Sequence, residues 1–175
     1  MKNKLAKALT LGVALIMCIG LFAGCGGNKY NAVVLSEGFS FKPEFLINNR
    51  THGAQYLNEN WDEEIDEWDD KYITDETSPE YRVLIIKNQI ELDNIFGSFV
   101  QVDFEKEMIL LYCYTDIYSR LQLIDKVNHS GTTLEIEFSL KKPKTGVKDA
   151  SMPGCKQLVI KMDTLEIETA KFTKK

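Results

Sequence analysis

Histidine is the scarcest informative residue in this chain: 175 residues hold only two. His52 and His129 stand alone with no HxxxH spacing, so a zinc enzyme has no ligand set to start from. No CxxC occurs, which leaves a zinc knuckle or a thioredoxin-like centre without support. There is no glycine-rich phosphate loop and no Asp-x-Asx-x-Asx-Gly calcium loop. Neither histidine lies in a motif that would mark the partner of a nucleophile. Carboxylates are too numerous for any pair to stand out as general acid and base. Internal repeats are absent. Basic residues are in deficit, 21 against 26 acids. An acidic chain repels phosphates, so nucleic acid is not an expected partner. It is equally unsuited to electrostatic adhesion to anionic lipid. No metal and no cofactor is expected.

What is present begins at the N-terminus. Lys2, Lys4 and Lys7 precede an almost wholly apolar run, Ala8 to Ala23, then Gly24 and Cys25. A positive start, a short apolar stretch and small residues before a cleavage point define a secretory signal. The run falls short of the roughly 20 residues a comfortable membrane span needs. The bare pattern fits a plain signal peptide or a short N-terminal anchor helix. The cysteine directly after Ala23-Gly24 adds more: the segment resembles the bacterial lipobox. Phe22 stands where that pattern usually has leucine, and Leu21 is one place early. The resemblance implies cleavage between Gly24 and Cys25 and a thioether-linked diacylglycerol on Cys25. Two acyl chains anchor stably where one is marginal.

On this reading residues 1–24 are a removed leader, 25–32 a lipidated linker, and 33–175 a single α+β domain. Gly26-Gly27-Asn28-Lys29 is a flexible polar spacer. The leader takes three lysines and no acid, leaving 151 residues with a formal charge of −8. That length suits one domain with a substantial core. Of four cysteines, Cys18 leaves with the leader and Cys25 is blocked by lipid, so Cys113 and Cys155 remain. An exported protein can form a disulfide, but nothing in the sequence brings these two within bridging distance. Cys113 lies in an apolar run, where a buried, inert thiol is the plain expectation.

The expected fold is α+β, a mainly antiparallel sheet or sandwich with two amphipathic helices in the N-terminal half. Its helical part spans about 58–99 and its β-rich part about 81–172. Val33-Val34-Leu35 and Phe39-Ser40-Phe41 read as short strand segments ended by Pro43. Trp61, Ile65, Trp68 and Tyr72 recur at helical spacing, predicting a buried stripe. Asn60 and Glu63 make a capping-box-like pair at its start. A second helix is predicted after Asn88, with Glu91 at the third position and Leu92, Ile95, Phe96 and Phe99 as its buried face. Tyr81–Lys87 and Met108–Tyr114 read as strands, the latter central. Leu121, Leu123, Asp125 and Val127 alternate with Gln122, Ile124 and Lys126. Leu134, Ile136 and Phe138 alternate with Glu135, Glu137 and Ser139, a half-exposed strand. Asn128-His129-Ser130-Gly131 signals a hairpin turn. Pro143 to Gly154 reads as a loop, and Leu158-Val159-Ile160 and Ile167–Phe172 as the last strands.

The order of these features resembles the C-terminal domain family of the protease-complex lipoprotein PrcB. The matching residues are Val83-Leu84-Ile85-Ile86 leading to Glu91-Leu92, then Val102-Asp103-Phe104 into Ile109-Leu110-Leu111. The Pro153 loop and Gln157-Leu158-Val159-Ile160-Lys161 follow the hairpin. The resemblance covers about residues 81–172. It departs at Tyr114–Ser119, which lacks the family's glycine-rich turn. It implies a noncatalytic domain that binds or stabilises another exported protein, such as a protease. The expected function is thus a lipid-anchored protein on the extracytoplasmic face of the cell membrane, with an exported protein as partner. The alternative is a surface module for a small molecule, glycan or cation. Protease inhibition and hydrolysis are further readings. Glu59 to Glu80 holds eleven acids against one lysine, which fits a solvated face, a cation site or a basic partner. Trp61 and Trp68 read first as core, and otherwise as a partner or ligand surface.

The lipid reading predicts that Cys25→Ser abolishes metabolic labelling with palmitate and releases the protein from the membrane fraction. Undiminished labelling of that variant would overturn the assignment.

Overall fold

One apolar run organises the chain. Met108, Ile109, Leu110 and Leu111 are each fully buried, which a strand achieves only when both of its faces are covered. The computed structural model describes residues 30–65, 67–118, 120–142 and 152–175. In it, β7 (Glu107–Asp116) lies between β10 (Gly154–Asp163) and β5 (Tyr81–Ile86). The short β1 (Val33–Leu35) adds to the far side of β10. All pairings in this four-stranded sheet are antiparallel.

The two faces of β7 feed two cores. Met108, Leu110 and Tyr114 join Leu158, Ile160 and Met162 against a second sheet. That sheet has the order β11-β9-β8, formed by β8 (Leu121–Ser130), β9 (Thr133–Lys141) and β11 (Thr169–Lys174). Leu134, Ile136 and Phe138 are its fully buried contribution. On the opposite face, Ile109, Leu111, Cys113 and Val159 meet α2 (Gln89–Ile95) and a group of phenylalanines. The result is α+β: mostly antiparallel sheet with two short helices. One pairing departs from the antiparallel expectation. β11 runs parallel to β9, because the chain crosses between sheets after β10, with Leu165 and Ile167 packed into the core.

Several sequence expectations hold. Asn88 caps α2, its side chain accepting from the Glu91 amide at 2.9 Å. Glu91 reaches back to the Lys87 amide at 2.8 Å, closing the helix start reciprocally. The helix ends at Ile95. Phe96–Ser98 is extended as β6 and pairs with β2 (Ser40–Phe41). Pro43 ends β2 as expected and also opens α1 (Pro43–Asn48), where its fixed φ suits a first helical turn. The turn between β8 and β9 is Gly131–Thr132, with Gly131 at φ +58°, two residues later than Asn128–Gly131 suggested, so Asn128, His129 and Ser130 belong to β8.

The strict alternation expected along 121–127 is broken. A bulge between Ile124 and Lys126 makes Asp125 the extra residue. Ile124 and Val127 therefore both reach the core, whereas uniform alternation would oppose them. The Pro143–Gly154 loop lies mostly outside the described residues, and Gly154 already begins β10.

The end of β7 is fixed by an ion pair. Lys174 Nζ donates to Asp116 Oδ2 at 2.8 Å, and the Asp116 side chain is only 4% exposed. Burial pushes this carboxyl up. The bond from Lys174 and the amides of Tyr118 and Ile117 outweigh burial and hold it below its ordinary range. Stability from a depressed carboxyl is present above its unfolded value and lost as pH falls through the folded one. We expect Lys174→Met to lower stability near neutral pH by about 1–3 kcal/mol. The gap to wild type should narrow as pH falls below about 4. Thermal unfolding at several pH values checks this, and a gap independent of pH would refute it.

Candidate functional site

The predicted helix at Trp61–Tyr72 does not form, and its stripe is not buried. Its described residues form a loop joining β3 (Gln55–Leu57) to β4 (Tyr72–Thr74), with a 3-10 turn at Trp68–Lys71. Two physical causes compete with the helix. Asp62 accepts from the Glu64 amide at 2.9 Å, and Asn58 from the Asn60 amide at 3.0 Å. Such local bonds offer the backbone a non-helical alternative. The like-charged pairs Asp62/Asp66, Glu63/Glu67 and Asp66/Asp70 would also sit one helical turn apart and repel.

The loop is nonetheless stapled. Its base is closed by the antiparallel β3–β4 ladder. The Asn58 amide donates to Lys71 O at 2.9 Å, and Asn58 Nδ2 to Asp70 O at 3.1 Å. Trp61 Nε1 donates to Glu67 O at 3.1 Å. This fold-back brings the two indoles edge-to-face, centroids 6.0 Å apart and planes at 88°. The Lys71 ammonium lies 4.3 Å from the Trp61 centroid and 4.0 Å from that of Trp68. An exposed cation–π contact is worth about 0.5–1 kcal/mol, so one lysine bridging two rings steadies them.

The arrangement leaves apolar surface in water. Trp68 is 65% exposed and Ile65 80%. Leu57 and Ile73, at the base, are exposed as well. Carboxylates of Asp62, Glu63, Glu64 and Glu67 surround this apolar tip in sequence. Apolar groups exposed together and rimmed by charge are a candidate interaction surface. Spacing pointed to Trp61 and Trp68 but placed them in a core. The signal for the true arrangement was Lys71, the one cation in an acidic run.

A second cluster went unread in the sequence. Residues 49–52 cross the ends of β5, β7 and β10. The fully buried Thr51 shares a 2.6 Å hydrogen bond with Thr115, whose hydroxyl also donates to His52 O at 2.8 Å. Arg82 Nη1 donates to Asn49 Oδ1 at 2.8 Å and to Asn48 O at 3.2 Å. Cys155 donates to Asn49 O at 3.7 Å and receives Gln157 Nε2 at 3.5 Å. Cys113 and Cys155 are both free thiols, and the β7–β10 register makes them diagonal neighbours, with Cys113 opposite Gln157. Hydrogen bonding to Cys155, together with burial, pushes the Cys113 thiol up. The bond from Cys113 pulls Cys155 down, with Thr51 and Gln157 adding to it against burial.

The remaining expected residues are dispersed. His52 faces Glu76, 3.5 Å from its carboxylate. His129 sits edge-on to Tyr30 with its Nε2 buried and without a hydrogen-bond partner among the described residues. Among the described residues no group of three His, Cys, Asp or Glu could hold a metal. A groove of about 390 Å³ beside α2 is lined by Leu92, Phe96, Phe99 and Val102, among others, and includes no residue of either cluster. Gly24 and Cys25 lie outside the described residues, and no described helix is long and apolar enough to cross a membrane.

An exposed Trp68 should matter little to stability. We expect Trp68→Ala to change unfolding free energy by no more than about 0.5–1 kcal/mol. A buried stripe would instead lose about 3–5 kcal/mol. Chemical denaturation separates the two, and a loss in the larger range would restore the buried helix. No family model, no curated protein and no solved structure matches the chain.

Proposed function

We propose that this chain is an exported lipoprotein, held at the extracytoplasmic face of the membrane by acylated Cys25. Its domain is noncatalytic and binds another surface protein through the loop between β3 and β4. The observation that carries the reading is the stapled Trp61–Trp68 pair, in which Trp68 is exposed and Trp61 half-buried. Tryptophan dominates binding hot spots because it buries a large area at little entropic cost. Here the ordering is already done by the Asn58, Glu67 and Lys71 contacts. A preorganised contact loses less freedom on binding.

The chemistry of the loop narrows the partner. Its carboxylates favour a surface whose apolar pocket is ringed by Lys or Arg, since opposite charge steers encounter and fixes orientation. Stacking on a sugar is less well served, because one face of each indole is already taken by the Lys71 ammonium. The similarity of residues 81–172 to the PrcB-type domain points the same way, toward a partner that is itself exported.

Cross-linking in the native envelope tests this. Wild type should recover one specific partner. Loss of a tryptophan hot spot costs about 2 kcal/mol or more, roughly 30-fold in affinity. The Trp61→Ala/Trp68→Ala variant should therefore recover little of it. Equal recovery by both proteins would remove the loop from the interface.

A further inference from the structure

Cys113 and Cys155 stand in a relationship that the binding role does not use. In the β7–β10 ladder Cys113 faces Gln157 and Cys155 faces Thr115. Cys155 is thus two residues from the partner of Cys113, on the same face of the sheet. Both side chains belong to the core beneath α1 and α2. The register alone places the two side chains as diagonal neighbours across one strand pair. Diagonal neighbours of this kind have Cα atoms about 7–8 Å apart, and a disulfide needs about 4.4–6.8 Å. Closure therefore asks for a small shift of one strand. Cys155 is the second residue of β10, close to the end of its ladder with β7 at the Gly154–Asp116 pair.

The two thiols are not equivalent. Cys113 is 1% exposed, whereas Cys155 is only partly buried. An oxidant therefore meets Cys155 first. At its sulfur, Gln157 Nε2 donates at 3.5 Å. Arg82, opposite Cys113 on β5, adds positive charge nearby. The Asn49 carbonyl accepts from the Cys155 thiol at 3.7 Å, so that proton leaves before the sulfur reacts, because the thiolate is the reactive form.

We propose that Cys155 and Cys113 are a redox-active pair, with Cys155 the thiol attacked by a peroxide and Cys113 the resolving thiol. The Cys155 thiolate attacks one peroxide oxygen, the O–O bond breaks, and hydroxide leaves, taking a proton to become water. Cys155 is then a sulfenic acid. The Cys113 sulfur attacks it, the S–O bond breaks, and the Cys113 proton leaves with the hydroxyl as a second water. Two thiols and one hydrogen peroxide thus yield one disulfide and two waters. The oxidant is reduced by two electrons and the sulfur pair oxidised by two. A diagonal bridge is strained and so more easily reduced than a structural one, which makes the step reversible by an external thiol.

The test uses the full chain, reduced and then exposed to hydrogen peroxide. Peptide mapping without reductant should find tryptic peptides 107–120 and 149–156 joined, at a mass two hydrogens below their sum. A thiol reductant should separate them. Because only these two peptides are read, Cys18 and Cys25 do not interfere. Failure of the loop to bind a partner would leave the result untouched. In Cys113→Ala the sulfenic acid should persist and be trapped by dimedone on Cys155, while Cys155→Ala should give no adduct on Cys113. Irreversible oxidation of Cys155 with Cys113 still a free thiol would overturn the proposal, as would two unreacted thiols.

Discussion

Burial of β7 on both faces is the constraint on which the rest of the molecule depends. A strand that exposes neither face needs a layer on each side, and this chain supplies two different ones. The second sheet covers Met108, Leu110 and Tyr114, while α2 and the phenylalanines of 39–45 and 96–99 cover Ile109, Leu111 and Cys113. The strand's neighbours then follow. β10 repeats its apolar pattern through Leu158–Ile160 and pairs with it along ten positions. Everything outside these three layers, including the aromatic loop, is freed from core duty.

That freedom explains the division between the two clusters. The Trp61–Trp68 loop hangs from a two-stranded ladder, and its order comes from local contacts: Asx-type turns, an indole hydrogen bond and one lysine against two rings. None of these requires a core, so the loop presents apolar surface to solvent at modest cost. The cysteine cluster is the opposite case. Its geometry is set by strand register and by the 49–52 segment crossing the sheet, so it exists only when the whole layer is assembled.

Much of the β architecture was legible in the chain. The continuous apolar runs Met108–Tyr114 and Val83–Ile86 and the period-two alternation of Leu134, Ile136 and Phe138 are signals strong enough to survive context. The Asn88–Glu91 cap was likewise readable, since both partners lie within one turn. The Trp61–Tyr72 region misled because period alone cannot weigh side-chain bonds to the backbone or repulsion among eleven acids. The bulge at Asp125 was invisible for a related reason: an extra residue changes the phase only when a partner strand defines it.

The sequence by itself determined the strands with one strong face, the helix at Gln89–Ile95, the acidic character and the lipobox-like segment at Cys25. Each rests on residues close together in the chain, whose interactions are local or compositional. The tertiary structure alone decided that two tryptophans expected in a core share a lysine at the surface, and that cysteines 42 residues apart lie diagonally on one sheet face. Those outcomes turn on sheet order and register, which arise from burial summed over all layers rather than from any segment's own preference.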